Sequence, residues 1–425
     1  MKRAVLPLLG VLVACSGGDG EPPEIPPGVL QLSFETVQYS TTLDYVTDLA
    51  FLPDGSGEFL AIDLYGQFEH ARLDAVGATS LMSGRFDGVY ADFDAGQLGL
   101  AIDPDFADNA LFYVSTNLAT NHVQIRRYTL DRESFARTRD SEVVILDLRV
   151  SSSPRWHNIS SLGFDEDGVM WALVGDKGLF EPAQDETSLL GSLIRINPSK
   201  VEGVGGYSTP EEGPRYSESA DPAVVAIGIR SPWKGRYHQG RWIFGDVGLD
   251  DIEEINIISH AGQNLGWPVV EGPCEDDVHQ NQPDCTLYDD PLVSYGRSSS
   301  EPFVRDDLRA RPTNKRSVYV GWIYQSREDD PYRGLWDEVV VFGDAYVGFM
   351  RAASLADLTQ SWHLGHLEFP TAWGQAPDGF VYVTAYGDEP PDDLSSDELP
   401  SPLYRLVPAE PEAEARLGGD PAGPL

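Results

Sequence analysis

His157, within Trp156-His157-Asn158 and ten residues before Asp167, is the side chain best suited to take a proton at neutral pH, because imidazole titrates in that range. An isolated histidine is more often structural, so its neighbours must decide. Four Gly-Asp pairs, 175-176, 245-246, 343-344 and 387-388, end or closely follow apolar runs. Two readings stand for them. Glycine turns the chain while aspartate bonds nearby backbone, or the carboxylates converge and offer hard oxygen to a divalent cation. Cys274 and Cys285 share one loop, where a disulfide is expected in an exported chain. A zinc site recruiting His279 would lack a fourth ligand.

The elements that must position these groups follow from a repeated phrase, a Pro, Asp or Gly reversal leading into four to six apolar residues. It occurs at Phe51-Leu52-Pro53-Asp54-Gly55 into Phe59–Asp63, and at Ile102–Phe106 into Leu111–Val114. It returns at Phe164–Gly168 into Val169–Asp176, at Arg236–Gly240 into Arg241–Asp246, at Leu335–Glu338 into Val339–Asp344, and at Ala376–Gly379 into Phe380–Thr384. These runs are too short for buried helices and rich in strand formers. Six copies predict an all-β fold, a six-bladed β-propeller of four-stranded antiparallel blades, over residues 31–407. The phrases are expected to be the inner strands, with loops at one end forming a funnel. Propeller blades recur at roughly 40 to 50 residues, yet about 100 separate the fourth and fifth phrases, so long loops must interrupt those blades.

The formal charge is −38, from 30 basic and 68 acidic residues, which repels phosphate backbones and excludes a nucleic-acid partner. Lys2 and Arg3 followed by the apolar Ala4–Val13 read as an export signal over residues 1–15, too short for a membrane span. Leu12-Val13-Ala14-Cys15 resembles the bacterial lipobox, which implies a lipid anchor at Cys15. Ser16 after the cysteine then favours an outer-membrane, periplasmic or surface location. Residues 16–30 read as a flexible tether and 408–425 as a disordered tail.

Several motifs together resemble one family, the soluble quinoprotein glucose/sorbosone dehydrogenases. They are Gly99-Leu100-Ala101-Ile102-Asp103-Pro104-Asp105-Phe106, Trp156-His157-Asn158, Gly175-Asp176-Lys177-Gly178, Ile229-Arg230-Ser231-Pro232-Trp233, and Gly245-Asp246-Val247-Gly248 continuing to Gly262–Pro268. The resemblance implies oxidation of a sugar or related alcohol, with hydride passing to pyrroloquinoline quinone (PQQ) beside a calcium ion. It makes His157 the base, Arg230 the stabiliser of charge on the quinone, and Asp94 a substrate-orienting group. Ser231 and Trp336 would touch the cofactor. The Gly248 and Leu249 carbonyls, helped by Asp246, would bind calcium. The family's C-terminal cations for the cofactor carboxylates are missing from residues 368–373, so Arg351, His363 or His366 would have to replace them. A noncatalytic, calcium-stabilised propeller that binds a glycan or protein is the alternative.

Overall fold

The computed structural model describes residues 32–408 apart from 40, 42, 152–154, 276–282, 298–314, 328–329, 335, 356, 368 and 387–400. The expected signal, Cys15, the tether, His279, Gly387-Asp388 and the chain beyond Pro408 lie outside the described residues. The regular structure described is nearly all strand, with short helices such as Phe106–Asn109 and Phe135–Asp140 between strands.

Six strands each open an antiparallel unit: β1 (Val46–Phe51), β2 (Gln97–Ile102), β3 (Ile159–Phe164), β4 (Pro232–His238), β5 (Val318–Ile323) and β6 (Pro370–Gln375). Each lies against the next in chain order, and β6 lies against β1. The repeated phrase is the second strand of each unit, as Leu111–Ala119 follows β2 and Met170–Val174 follows β3. The expectation that the phrases are innermost is therefore corrected by one strand.

Side-chain alternation explains why these second strands are apolar throughout. Successive residues point to opposite faces of a sheet, and here both faces are covered. Met170, Ala172 and Val174 join a cluster with Tyr113 and Ile125 of the preceding unit, whereas Trp171 and Leu173 pack with Trp242 and Phe244 of the following one. Val339 and Val341 likewise face one way, Val340 and Phe342 the other. The core is thus spread between neighbouring sheets.

The unit opened by β6 is completed from the other end of the chain. Leu32–Tyr39 pairs antiparallel with Leu403–Pro408, from Leu32 opposite Pro408 to Val37 opposite Leu403, and then joins the first unit through Gln38–Gly77 and Tyr39–Ala78. The long connection inside the fourth unit, between Ile252–Ile258 and Val293–Gly296, carries the Cys274–Cys285 disulfide, as expected.

Leu406, fully buried in this closing strand, tests the closure. Leu406→Ala should lower unfolding free energy by about 2–5 kcal/mol, measured by denaturant titration. Arg405→Ala, which removes an ion pair with the half-exposed Glu35, should cost less than about 1 kcal/mol.

Candidate active site

One cavity of about 480 Å³ opens where the units converge. Its wall is drawn from residues at or just before the start of every opening strand: Tyr45 before β1, Asp94 before β2, His157 before β3, Arg230 and Ser231 before β4, Arg316 before β5, and Phe369 before β6. Antiparallel pairing brings the ends of the second strands to the same place, which adds Leu64, Val247, Ala345 and Tyr386. The sequence-predicted His157, Arg230, Ser231, Asp94, Gly248 and Leu249 all line this cavity.

His157 is held from two sides. Its backbone lies at φ +54°, a left-handed conformation that costs a non-glycine residue roughly 1–3 kcal/mol. Its N–H donates to Asp94 Oδ2 (2.9 Å), and its ring Nδ1 meets Asp176 Oδ1 at 2.5 Å. A Cβ at Gly175 would come within 2.6 Å of the His157 carbonyl oxygen, so glycine is required for this approach. Asp176 is fully buried and also accepts from Trp267 Nε1 (2.8 Å) and the Gly178 N–H (2.6 Å). Burial alone would raise its carboxyl, but the hydrogen bonds from His157, Trp267 and Gly178 hold it below the usual range. An ionised Asp176 fixes the proton on Nδ1 and leaves Nε2 as the acceptor. Among the described residues Nε2 makes no hydrogen bond.

Arg230 shares this framework. Its carbonyl accepts from the Asp176 N–H (2.9 Å), its guanidinium lies 5.2 Å from the Trp267 ring, and Nη1 donates to the Val247 carbonyl (2.5 Å). Burial pushes its pKa down. Two buried polar atoms of the wall, Arg230 Nε and Asp94 Oδ1, have no partner among the described residues. One is a donor and the other an acceptor, and buried groups of this kind are ordinarily satisfied. Asp94 is raised by burial, against the pull of His157 and Lys177. Lys177, also buried, is pushed down to about 8 while donating to Asn158 Oδ1 (2.5 Å).

Three expected site residues make other contacts. Asp246 is not part of the cavity wall: it is buried behind it and accepts the Arg230 and Ser231 N–H groups (2.9 and 2.6 Å), which makes it a strap for that loop. Gly248 is glycine because a Cβ would collide with the Ile252 carbonyl at 1.7 Å, in a turn wound around Glu271. A single oxygen of Glu271 accepts N–H from Leu249 (2.7 Å) and from Asp250, Asp251 and Ile252 (each 3.2 Å). The Gly248 carbonyl itself accepts from Arg297 Nη1 (3.0 Å). Trp336 is fully buried, stacked on Tyr332 at 5.0 Å, and is not part of the cavity wall. Arg351, tied to Ser361, and His366 are likewise not among the lining residues, and nothing is described of the His363 side chain.

The cations that do face the cavity stand on other segments. Arg155, Arg297, Lys315 and Arg316 join Arg230 around the cavity, against Asp92 and Asp94, in a chain whose net charge is −38. These four stand in loops without periodicity, so no pattern marked them. Asp176 was visible as half of a Gly-Asp pair and Trp267 within the Gly262–Pro268 motif, but neither position revealed its partner.

The family model for glucose/sorbosone dehydrogenase matches residues 43–301. The chain belongs to this family. Curated relatives include the HIPL2 protein of Arabidopsis thaliana, 25% identical over 325 residues that make up 63% of this chain and 45% of that protein. The aldose sugar dehydrogenase YliI of Escherichia coli (strain K12) is 26% identical over 235 residues, covering 54% and 60%. Quinoprotein glucose dehydrogenase B of Acinetobacter calcoaceticus is 27% identical over 215 residues, covering 44% and 42%. The matches span 34% of the length of the HIPL1 protein and 45% of HIPL2. Among solved structures, the PQQ-bound aldose sugar dehydrogenase of Streptomyces coelicolor gives a TM-score of 0.64 at 18% identity, over 89% of this chain and 98% of that one. The apo-form soluble aldose sugar dehydrogenase of Escherichia coli gives 0.64 at 19%, over 89% and 100%. This family membership agrees with the sequence motifs, and the structural likeness establishes the shared fold.

Behind the wall, Asp246 and Glu254 face each other across paired strands, both buried. Burial pushes Asp246 up to about 7, and burial with the Asp246 charge pushes Glu254 up to about 8. A carboxyl raised on folding contributes stability below its unfolded pKa, and that stability is lost as pH rises through the folded value. The contribution of this pair to the melting temperature should therefore fall from about pH 4, near the unfolded carboxyl values, to about pH 8 and level off above it. Glu254→Gln should flatten the fall because the amide does not titrate, and Asn256 Oδ1, unpartnered among the described residues, can accept from it after an amide flip.

Proposed function

We propose that this protein is a six-bladed propeller that oxidises a sugar or related alcohol, with PQQ bound in the cavity as hydride acceptor. The observation that carries the reading is the buried Asp176–His157 pair, set beside the unpartnered Arg230 Nε in a cavity that gathers cations in a strongly acidic chain. The closed series β1 to β6 supports the propeller. The family and its quinoprotein relative support the cofactor.

Oxidising an alcohol requires removal of the hydroxyl proton as hydride leaves carbon. His157 Nε2 takes that proton, and Asp176 stabilises the imidazolium that forms. Asp94, with one oxygen fixed by the His157 N–H, offers the other to a substrate hydroxyl. Bound PQQ supplies the two-electron acceptor. Its carboxylates and quinone oxygens fit the donor set of Arg230, Arg297, Lys315 and Arg316, since buried anions require paired charge. A guanidinium with an unused donor in a desolvated wall is suited to negative charge that builds up during reduction.

Calcium does not fit the same residues. The Gly248 carbonyl already accepts from Arg297, whose guanidinium also pairs with the buried Glu253, and a divalent cation bound there would meet that positive charge. We therefore derive no step through calcium. Export and lipid attachment at Cys15 complete the proposal on the sequence signals alone.

PQQ titrated into the purified protein should give saturable heat, and dye reduction with aldoses should follow. His157→Ala should lower kcat at least about a hundredfold, and Asp176→Asn should do so as well, with quinone binding retained. Chelation by EDTA should leave quinone affinity unchanged. Absence of quinone binding at saturating cofactor would overturn the enzymatic reading.

A further inference from the structure

At the lip of the cavity stand two large apolar side chains that remain about half exposed among the described residues. Phe93 is 50% and Trp156 41% exposed, and their rings lie 5.4 Å apart, tilted at 56°. The Arg155 guanidinium lies over both, 5.3 Å from the Phe93 ring and 5.9 Å from the Trp156 ring. That guanidinium is held by Asp92 (2.7 Å), whose other oxygen accepts from the Tyr90 hydroxyl (2.8 Å).

The local backbone shows that this exposure is built in. Asp92 and Ala95 pair with each other through N–H to carbonyl bonds of 2.9 and 3.0 Å, so Phe93 and Asp94 occupy the tip of a tight turn. The first tip position of such a turn, with positive φ, favours glycine. Phe93 occupies it at φ +59°. A bulky residue is an outlier there, and no buried contact compensates, because the ring points out to the lip. The turn sends Asp94 inward to the His157 N–H and Phe93 outward to Trp156, the residue before His157. The platform and the proton-accepting histidine are therefore set by the same two loops.

Exposed aromatic rings beside a charged pair match the two kinds of surface on a sugar ring. Its C–H faces lie flat on an aromatic ring, and its hydroxyls bond to a guanidinium and a carboxylate at the rim. We propose that Phe93, Trp156, Arg155 and Asp92 form a second saccharide subsite at the cavity mouth, which holds the sugar unit next to the one being oxidised. The substrate is then an oligosaccharide, oxidised at the unit that enters the cavity. This rests on the sugar-oxidising reading above.

Two measurements separate the two ideas. Calorimetric titration of the PQQ-free protein with maltotriose and cellotriose needs no catalysis. At least one trisaccharide should bind, Trp156→Ala should weaken it about tenfold, and Trp156→Phe should restore most of the loss. In dye reduction, wild type should show a higher kcat/KM for that trisaccharide than for glucose. Trp156→Ala and Phe93→Gly should each lower the ratio of the two about tenfold. If trisaccharide binding depends on Trp156 while no sugar reduces the dye, the subsite stands and the enzymatic reading falls. If sugars reduce the dye and the ratio is the same in wild type and both variants, the subsite is overturned and the enzymatic reading stands. Absence of trisaccharide binding to wild type also overturns the subsite.

Discussion

Asp176 is the point on which the site is assembled. One buried carboxylate fixes the His157 ring, accepts the indole N–H of Trp267 and accepts the Gly178 N–H, while its own N–H bonds to the Arg230 carbonyl. The His157 imidazole, the guanidinium and the aromatic ring beneath that guanidinium are thereby held relative to one another by a single group. In a low-dielectric setting such an anion survives only if every lone pair has a donor. The surrounding sequence, from Gly175 to Gly178 and from Arg230 to Trp267, is shaped by that requirement.

The same device recurs without chemistry. Asp63 accepts from the Tyr65 and Gln67 N–H groups, Asp246 from Arg230 and Ser231, and Asp344 from Tyr346 and Val347. Each lies at the end of a second strand and replaces the ladder bonds that the chain loses on leaving the sheet. A scaffold whose core is spread between sheets keeps its loops in place this way, so the groups facing the cavity are set by buried carboxylates more than by packing.

Strand positions were legible in the sequence because both faces of each second strand are buried, giving continuous apolar runs bounded by turn residues. Which strand lies innermost was not, since β1 to β6 carry weaker runs and the ring contacts are invisible in local pattern. His157, Arg230 and Asp94 could be placed by motif, and they do line one cavity. The Gly-Asp pairs left two readings open, and at 245-246 and 343-344 the buried aspartates accept backbone N–H groups. A tryptophan that fills a core and one that faces a ligand look alike in sequence, which is why Trp336 was misplaced and Trp156 carried no assigned role. The cavity cations stand in aperiodic loops, and only the three-dimensional arrangement brings Arg297 onto the Gly248 carbonyl.

The pairing of Leu32–Tyr39 with Leu403–Pro408 joins Glu35 to Arg405 across a sequence separation of 370. Contacts this remote form slowly, because the intervening chain must be organised before its two ends can meet. During synthesis the early strand waits, its hydrogen-bonding edge bare, until the final strand arrives, and an unpaired edge is a template for foreign strands. The seam that makes the ring continuous is thus also the interval in which the nascent molecule most needs a chaperone.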